Sequence, residues 1–174
     1  TSVYGTQSSL VDESCTISDL KPQSPYAETK LREEKIVQKW SQKNNLKAVT
    51  LRFGTIFGVS PGMRFHTAIN KFCYQSVLGR QLTVWQQNYE HHRPYLGLRD
   101  ALLSIEMCME GKLQDREIYN VLSENAKLSD IVETIQGHKD ASVNFVNTPL
   151  LNQHTYFVSD EKIKALGFIS SDTL

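Results

Sequence analysis

Ser24-Pro25-Tyr26-Ala27-Glu28-Thr29-Lys30 opens a segment in which Ala27, Leu31, Ile36, Val37 and Trp40 fall at mostly three- and four-residue steps. That period is helical, and Ser24 ahead of Pro25 supplies an N-cap with proline in the first turn. The spacing predicts a helix from Tyr26 to about Asn44. Next comes Lys47-Ala48-Val49-Thr50-Leu51-Arg52-Phe53, short and largely apolar as a buried parallel strand is, with Gly54 as its stop. Upstream, Thr1-Ser2-Val3-Tyr4-Gly5 has the character of a strand end. Strand, helix, strand is the βαβ unit, so an α/β fold with a parallel sheet is predicted.

Working outward, Ser8, Ser9, Asp12, Ser14 and Ser18 lead to Pro22 and Pro25 in a stretch that has the composition of a long surface loop. Such loops often carry function. Past the strand, Gly58, Pro61 and Gly62 mark another loop, and Phe65 to Leu78 is a predicted helix closed by Gly79. A strand is expected at Leu82 to Trp85, then a polar excursion through His91 and His92 and an extended segment at Pro94 to Leu96. Asp100 is the expected cap of a helix from Ala101 to Glu110 that Gly111 ends. Further predicted elements are a strand at Ile118 to Leu122, a helix at Leu128 to Gln136, a strand at Val143 to Val146 and a short helix from Asp160 to Leu166. From about Gly58 onward this is a mixed α/β cap rather than more of a regular parallel sheet.

Lysine and arginine number 19 and the acids also 19, so the chain has no net field with which to attract nucleic acid or an anionic membrane. No apolar run approaches the roughly 18 residues that span a bilayer. The three cysteines, Cys15, Cys73 and Cys108, are scattered and odd in number. That suits a reducing compartment, the cytoplasm, better than a disulfide framework. Glu90, His91 and His92 lack the spacing of a metal site, because adjacent histidines point in different directions, and no metal is expected.

Tyr26 and Lys30 stand four residues apart, so on a helix they share one face. A free phenol titrates near about pH 10. A neighbouring ammonium favours phenolate and lowers that value, so such a pair can shuttle a proton to or from a substrate hydroxyl while a nicotinamide exchanges hydride.

Taken in order, Ser2-Val3-Tyr4-Gly5, the polar loop, Tyr26-Ala27-Glu28-Thr29-Lys30 and Arg52-Phe53-Gly54-Thr55-Ile56-Phe57-Gly58 resemble the extended short-chain dehydrogenase/reductases, the nucleotide-sugar epimerase and dehydratase family. The resemblance runs from Ser2 to about Phe168. It implies the C-terminal part of a Rossmann-like doubly wound parallel sheet plus a smaller mixed α/β substrate-binding region. Residues 1–57 would be the second half of the dinucleotide-binding domain. Residues 58–174 would be mostly substrate-binding, with segments returning to the sheet. Tyr26 matches the acid/base tyrosine, and Lys30 the lysine that holds the nicotinamide ribose. Phe53, Thr55 and Ile56 match the loop against the nicotinamide ring. Arg93, in Arg93-Pro94-Tyr95-Leu96-Gly97-Leu98-Arg99-Asp100, matches an arginine that grips the substrate pyrophosphate, a role its planar fork suits. The helix from Tyr26 to Asn44 is the implied homodimer contact.

The chain also departs from the family. Thr1 and Ser2 stand where dehydratase members carry an acidic pair, so water elimination by that route is not expected. Arg64, Phe65 and His66 stand near the place of a common sugar-nucleotide asparagine, which makes Arg64 a substrate-binding candidate beside Thr1, Ser2 and Arg93. The nine glycines form no glycine-rich dinucleotide turn. Roughly the first hundred residues of such a fold are therefore expected to lie upstream of Thr1, and the fragment alone is expected to be inactive. The implied function is an NAD- or NADP-dependent epimerase or dehydrogenase acting on a hydroxyl or keto group of a nucleotide sugar or similar small molecule. A non-catalytic relative that senses a dinucleotide or binds a protein is the alternative.

Overall fold

At Gly54 the backbone changes strand partners. The computed structural model describes residues 1–5, 10–147 and 156–174; Ser8 and Ser9 of the predicted loop lie outside them. In chain order the elements are a 3-10 turn Ser2–Tyr4, β1 Leu10–Val11, α1 Pro25–Asn44, β2 Thr50–Phe53, β3 Thr55–Phe57, α2 Ala68–Val77, β4 Leu82–Trp85, a 3-10 turn Gln86–Asn88 and β5 His92–Gly97. There follow α3 Leu98–Met109, β6 Ile118–Val121, β7 Glu124–Lys127, α4 Leu128–His138, β8 Val143–Val146, β9 Phe157–Val158 and α5 Glu161–Lys164.

β2 pairs in parallel with β6, from Thr50 beside Ile118 to Phe53 beside Val121. The Gly54 amide still donates to the Val121 carbonyl at 2.9 Å, and Thr55 then aligns with Tyr95 of β5. A Cβ at position 54 would lie 3.0 Å from the Pro94 carbonyl oxygen, so glycine suits the crossing. β5 is the centre of a three-stranded sheet, parallel to β3 and antiparallel to β7. β4 pairs in parallel with β8 and β1 with β9. The architecture is α/β with mainly parallel pairing, as the resemblance implies.

Among the described residues, three apolar clusters hold these elements together. Ile69 and Phe72 of α2 pack with Leu82, Val84, Tyr95, Ile131 and Val132. Leu96, Ala101, Met107, Tyr119, Val121, Ile163 and Phe168 form the second cluster. Val3, Tyr4, Val11, Leu20, Leu122, Tyr156 and Val158 form the third.

The predicted helix, Tyr26 to Asn44, is α1. Ser24 Oγ accepts from the Ala27 amide at 3.1 Å, and Asn45 in the left-handed region ends the helix. Along it Ala27 and Ser41 are buried and Leu31 packs against the third cluster, whereas Ile36 and Trp40 are 62% and 60% exposed. Some expectations need correction. Thr1 to Gly5 is a 3-10 turn and not a strand end. There Gly5 has φ 66°, and a Cβ on it would run into the Lys21 carbonyl oxygen, so the turn needs glycine. The strand predicted to stop at Gly54 resumes at once as β3. α2 starts three residues later than predicted, with Phe65 instead against the Tyr74 ring, centroids 4.7 Å apart.

Asp100 does not cap α3, whose N-cap is Gly97. Instead it lies buried in the first turn and accepts from the Ser123 hydroxyl and from the amides of Ser171, at 2.8 Å, and Asp172, at 3.2 Å. Burial opposes its ionisation, but these hydrogen bonds together outweigh burial and hold the carboxyl below its ordinary value. A depressed carboxyl contributes stability above its unfolded pKa, near about 3.9, and loses it as pH falls toward the folded value. Asp100→Asn is therefore expected to cost about 1–3 kcal/mol at pH 7 and to flatten the fall in urea-denaturation stability below about pH 4. An unchanged acid limb would show that the carboxylate does not hold the C-terminal segment.

Candidate active site

A cavity of about 1060 Å³ runs along the line where β2 gives way to β3. One wall is the start of α1. Tyr26 sits in its first turn, 65% exposed, and Lys30 follows one turn later with its ammonium 5.7 Å from the Tyr26 ring centroid. Lys30 also donates to Glu33 at 2.7 Å. That hydrogen bond, then the carboxylate's charge, raises the Lys30 pKa above its ordinary value. Across the cavity run Phe53, Gly54, Thr55 and Ile56, the last two on the edge strand of the β3-β5-β7 sheet. Thr1 and Ser2 line it as well. The Thr1 hydroxyl donates to the Phe53 carbonyl at 3.1 Å, which ties the 3-10 turn to the end of β2.

Arg64 and Arg93 line the same cavity. Arg64 is exposed on the loop before α2. The Arg93 guanidinium lies 5.8 Å from the Tyr156 ring centroid. The structure thus brings every candidate named from the sequence, namely Tyr26, Lys30, Phe53, Thr55, Ile56, Thr1, Ser2, Arg64 and Arg93, to the lining of one cavity. A smaller cavity of about 260 Å³ shares Thr55, His66, Thr67 and Arg93 with it and adds Lys71, Trp85 and His91. Arginine, lysine and histidine line this annex, with no carboxylate among its described lining residues. Burial pulls Lys71 below its ordinary pKa. The annex also contains Tyr95, whose phenol burial pushes up to about 12, so Tyr95 is not an acid/base group near neutrality.

Some lining residues escaped the sequence reading. Asn70, buried on α2, accepts from the Gly58 amide at 3.2 Å and donates to the Arg64 carbonyl at 3.1 Å, so it shapes the loop that carries Arg64. Buried Arg52 and half-buried Glu34 form a fork, with Nε to Oε1 at 3.0 Å and Nη2 to Oε2 at 2.8 Å. The spacing of Glu34, one turn beyond Lys30 on the same face, was the signal available. Among the described residues no group of three or more histidines, cysteines or carboxylates could hold a metal ion, and no helix is long and apolar enough to cross a membrane.

Residues 1–121 match the model of the NAD dependent epimerase/dehydratase family. The chain belongs to that family. Among individual proteins it is similar to a trifunctional UDP-glucose 4,6-dehydratase/UDP-4-keto-6-deoxy-D-glucose 3,5-epimerase/UDP-4-keto-L-rhamnose-reductase of Arabidopsis thaliana. The two are 26% identical over 161 residues, which is 90% of this chain and 24% of that protein. An uncharacterized UDP-glucose epimerase of Bacillus subtilis (strain 168) is 30% identical over 150 residues, 83% of this chain and 45% of that one. Among solved structures, UDP-glucuronic acid 4-epimerase from Bacillus cereus, in complex with UDP-glucuronic acid and NAD, has a TM-score of 0.84 at 25% identity. That match covers 100% of this chain and 55% of the other. The chain spans less than half the length of these two curated relatives.

Because Asn70 satisfies two backbone groups of the cavity loop, Asn70→Ala is expected to cost about 1–3 kcal/mol in urea denaturation. A loss under about 0.5 kcal/mol would mean that the Arg64 loop holds its course without it.

Proposed function

We propose that this chain supplies the acid/base and substrate-holding part of an NAD-dependent epimerase or oxidoreductase acting on a hydroxyl or keto group of a nucleotide sugar. The observation that carries the reading is the convergence of Tyr26, Lys30 and the open edge of β3 on one cavity. The residues fit a nicotinamide riboside: an ammonium with donors for ribose hydroxyls stands on one wall, and edge-strand backbone for a carboxamide stands on the other. NAD, rather than NADP, is the dinucleotide named with the Bacillus cereus structure. Hydride exchange with the substrate carbon is the chemistry NAD supplies when bound.

In this reading the chain's own residues do the rest. The Tyr26 oxygen passes a proton to or from the substrate oxygen, and Lys30 holds the ribose while its charge sits beside the phenol. Glu33 shares that ammonium, so Lys30 must turn from the carboxylate to reach its partners. Phe53, Thr55 and Ile56 bound the ring's position. Arg93 and Arg64, with the basic annex behind them, offer a diphosphate forked hydrogen bonds and positive potential. Thr1 and Ser2 offer hydroxyls and no carboxylate, which favours epimerisation or net oxidation and reduction over water elimination. Residues 1–57 would serve the dinucleotide and 58–174 mostly the substrate. The exposed Ile36, Val37 and Trp40 of α1 would face a second copy in a homodimer.

In the full-length protein, Tyr26→Phe is expected to bind NAD within about threefold of the parent and to lose about 100-fold or more in kcat. Lys30→Met is expected to weaken NAD binding as well. Isothermal titration with NAD and steady-state turnover of a UDP-sugar make the measurement. Absence of dinucleotide binding by the parent would favour a non-catalytic relative of the same fold.

A further inference from the structure

We infer that Arg52 and Glu34 form a clasp that positions the acid/base pair, so that both are positioning residues for the reaction proposed above, on which this inference rests. Arg52 is 5% exposed and the Glu34 side chain 11%. Their two parallel hydrogen bonds fix distance and orientation together, as a guanidinium–carboxylate fork does. The same guanidinium donates through Nη1 to the Tyr4 hydroxyl at 2.9 Å and lies 4.9 Å from the Tyr4 ring centroid. The Tyr4 hydroxyl in turn donates to Asn120 Oδ1 on β6 at 2.9 Å. Burial raises the Tyr4 pKa despite the cation beside it, so the phenol stays a donor.

One side chain thereby joins three segments that each carry a candidate site residue. Glu34 stands one helical turn from Lys30 and two from Tyr26, on their face of α1. Tyr4 belongs to the turn that carries Ser2, and Arg52 precedes Phe53 in β2. α1 itself buries Ala27 and Ser41 and packs Leu31 against the third cluster, while Ile36 and Trp40 remain exposed. Stability is a weak reason for such a pair, because well-packed apolar replacements of a buried ion pair are often neutral or stabilising. What an apolar pair lacks is the fixed fork, and a misplacement of about 1 Å at a reacting group can cost about 100-fold in rate.

The test uses the full-length protein carrying Glu34→Met together with Arg52→Met, which removes both charges and leaves neither unpaired. The expected result is a folded protein, by thermal denaturation followed by circular dichroism. Its kcat should fall about tenfold or more, its Kd for NAD and KM for a UDP-sugar should stay within about threefold, and the pH-rate limb lost in Tyr26→Phe should be displaced. A folded double variant with parental kcat and an unmoved limb overturns the clasp. Should it not fold, Glu34→Asp, which keeps the charge and withdraws it by one methylene, is expected to lower kcat and displace the same limb; parental values there overturn it equally. Tyr26→Phe measured in parallel separates the two ideas: turnover undiminished in that variant sinks the proposed reaction and the clasp with it, whereas its loss beside an unaffected clasp variant sinks the clasp alone.

Discussion

Between Phe53 and Thr55 the backbone leaves one strand partner, β6, and takes up another, β5. A single glycine makes the exchange. The cavity follows that line, bordered in succession by Phe53, Gly54, Thr55 and Ile56. The other walls are consequences of it. β6 brings Asn120 within hydrogen-bond reach of Tyr4, and β5 carries Arg93 into the lining. The helix that precedes β2 sets Tyr26 and Lys30 opposite. Strand ends and divergences of this kind are where α/β sheets present ligand sites, because the backbone there has polar groups and space that a continuous ladder would consume.

Charge is arranged in layers around the site. At its surface, Lys30 lies between a phenol ring and Glu33. Beneath it, Arg52 is neutralised by Glu34 and bonded to Tyr4, so its charge is spent on architecture. In the smaller cavity His66, Lys71, His91 and Arg93 are grouped, with no carboxylate among the described residues that line it. Lys71 and Arg93 thus bring two cationic side chains to a cavity whose lining does not include Tyr26.

Much of this was legible in the sequence, and the failures have physical causes. α1 could be read because Ser24, Pro25 and a helical period agree, and β4 and β8 because Leu82 to Trp85 and Val143 to Val146 are short apolar runs. β7 has the sequence Glu-Asn-Ala-Lys and no apolar alternation; it is a strand only because β5 lies beside it. β1 and β9 are two residues each, too short for any period to register. Asp100 has the composition of a cap, but partners more than twenty residues away, Ser123 and Ser171 among them, claim it. Tyr26 and Lys30 could be found because their spacing lies within one helix. Arg52 and Glu34 were harder, because their relation depends on how a helix docks on a strand.

The strand pairings also bear on how the chain folds. Leu10 pairs with Phe157, Thr50 with Ile118 and Leu82 with Val143, so each of these ladders closes across a long stretch of polypeptide. High contact order of this kind slows folding, since chain entropy is lost before the contacts that compensate it form. During synthesis β9, the strand that β1 pairs with, is not available until residue 158 has left the ribosome. Until then the apolar side chains of the third cluster, Val11 and Leu20 among them, lack Tyr156 and Val158 as cover, the condition in which nascent chains depend on chaperones.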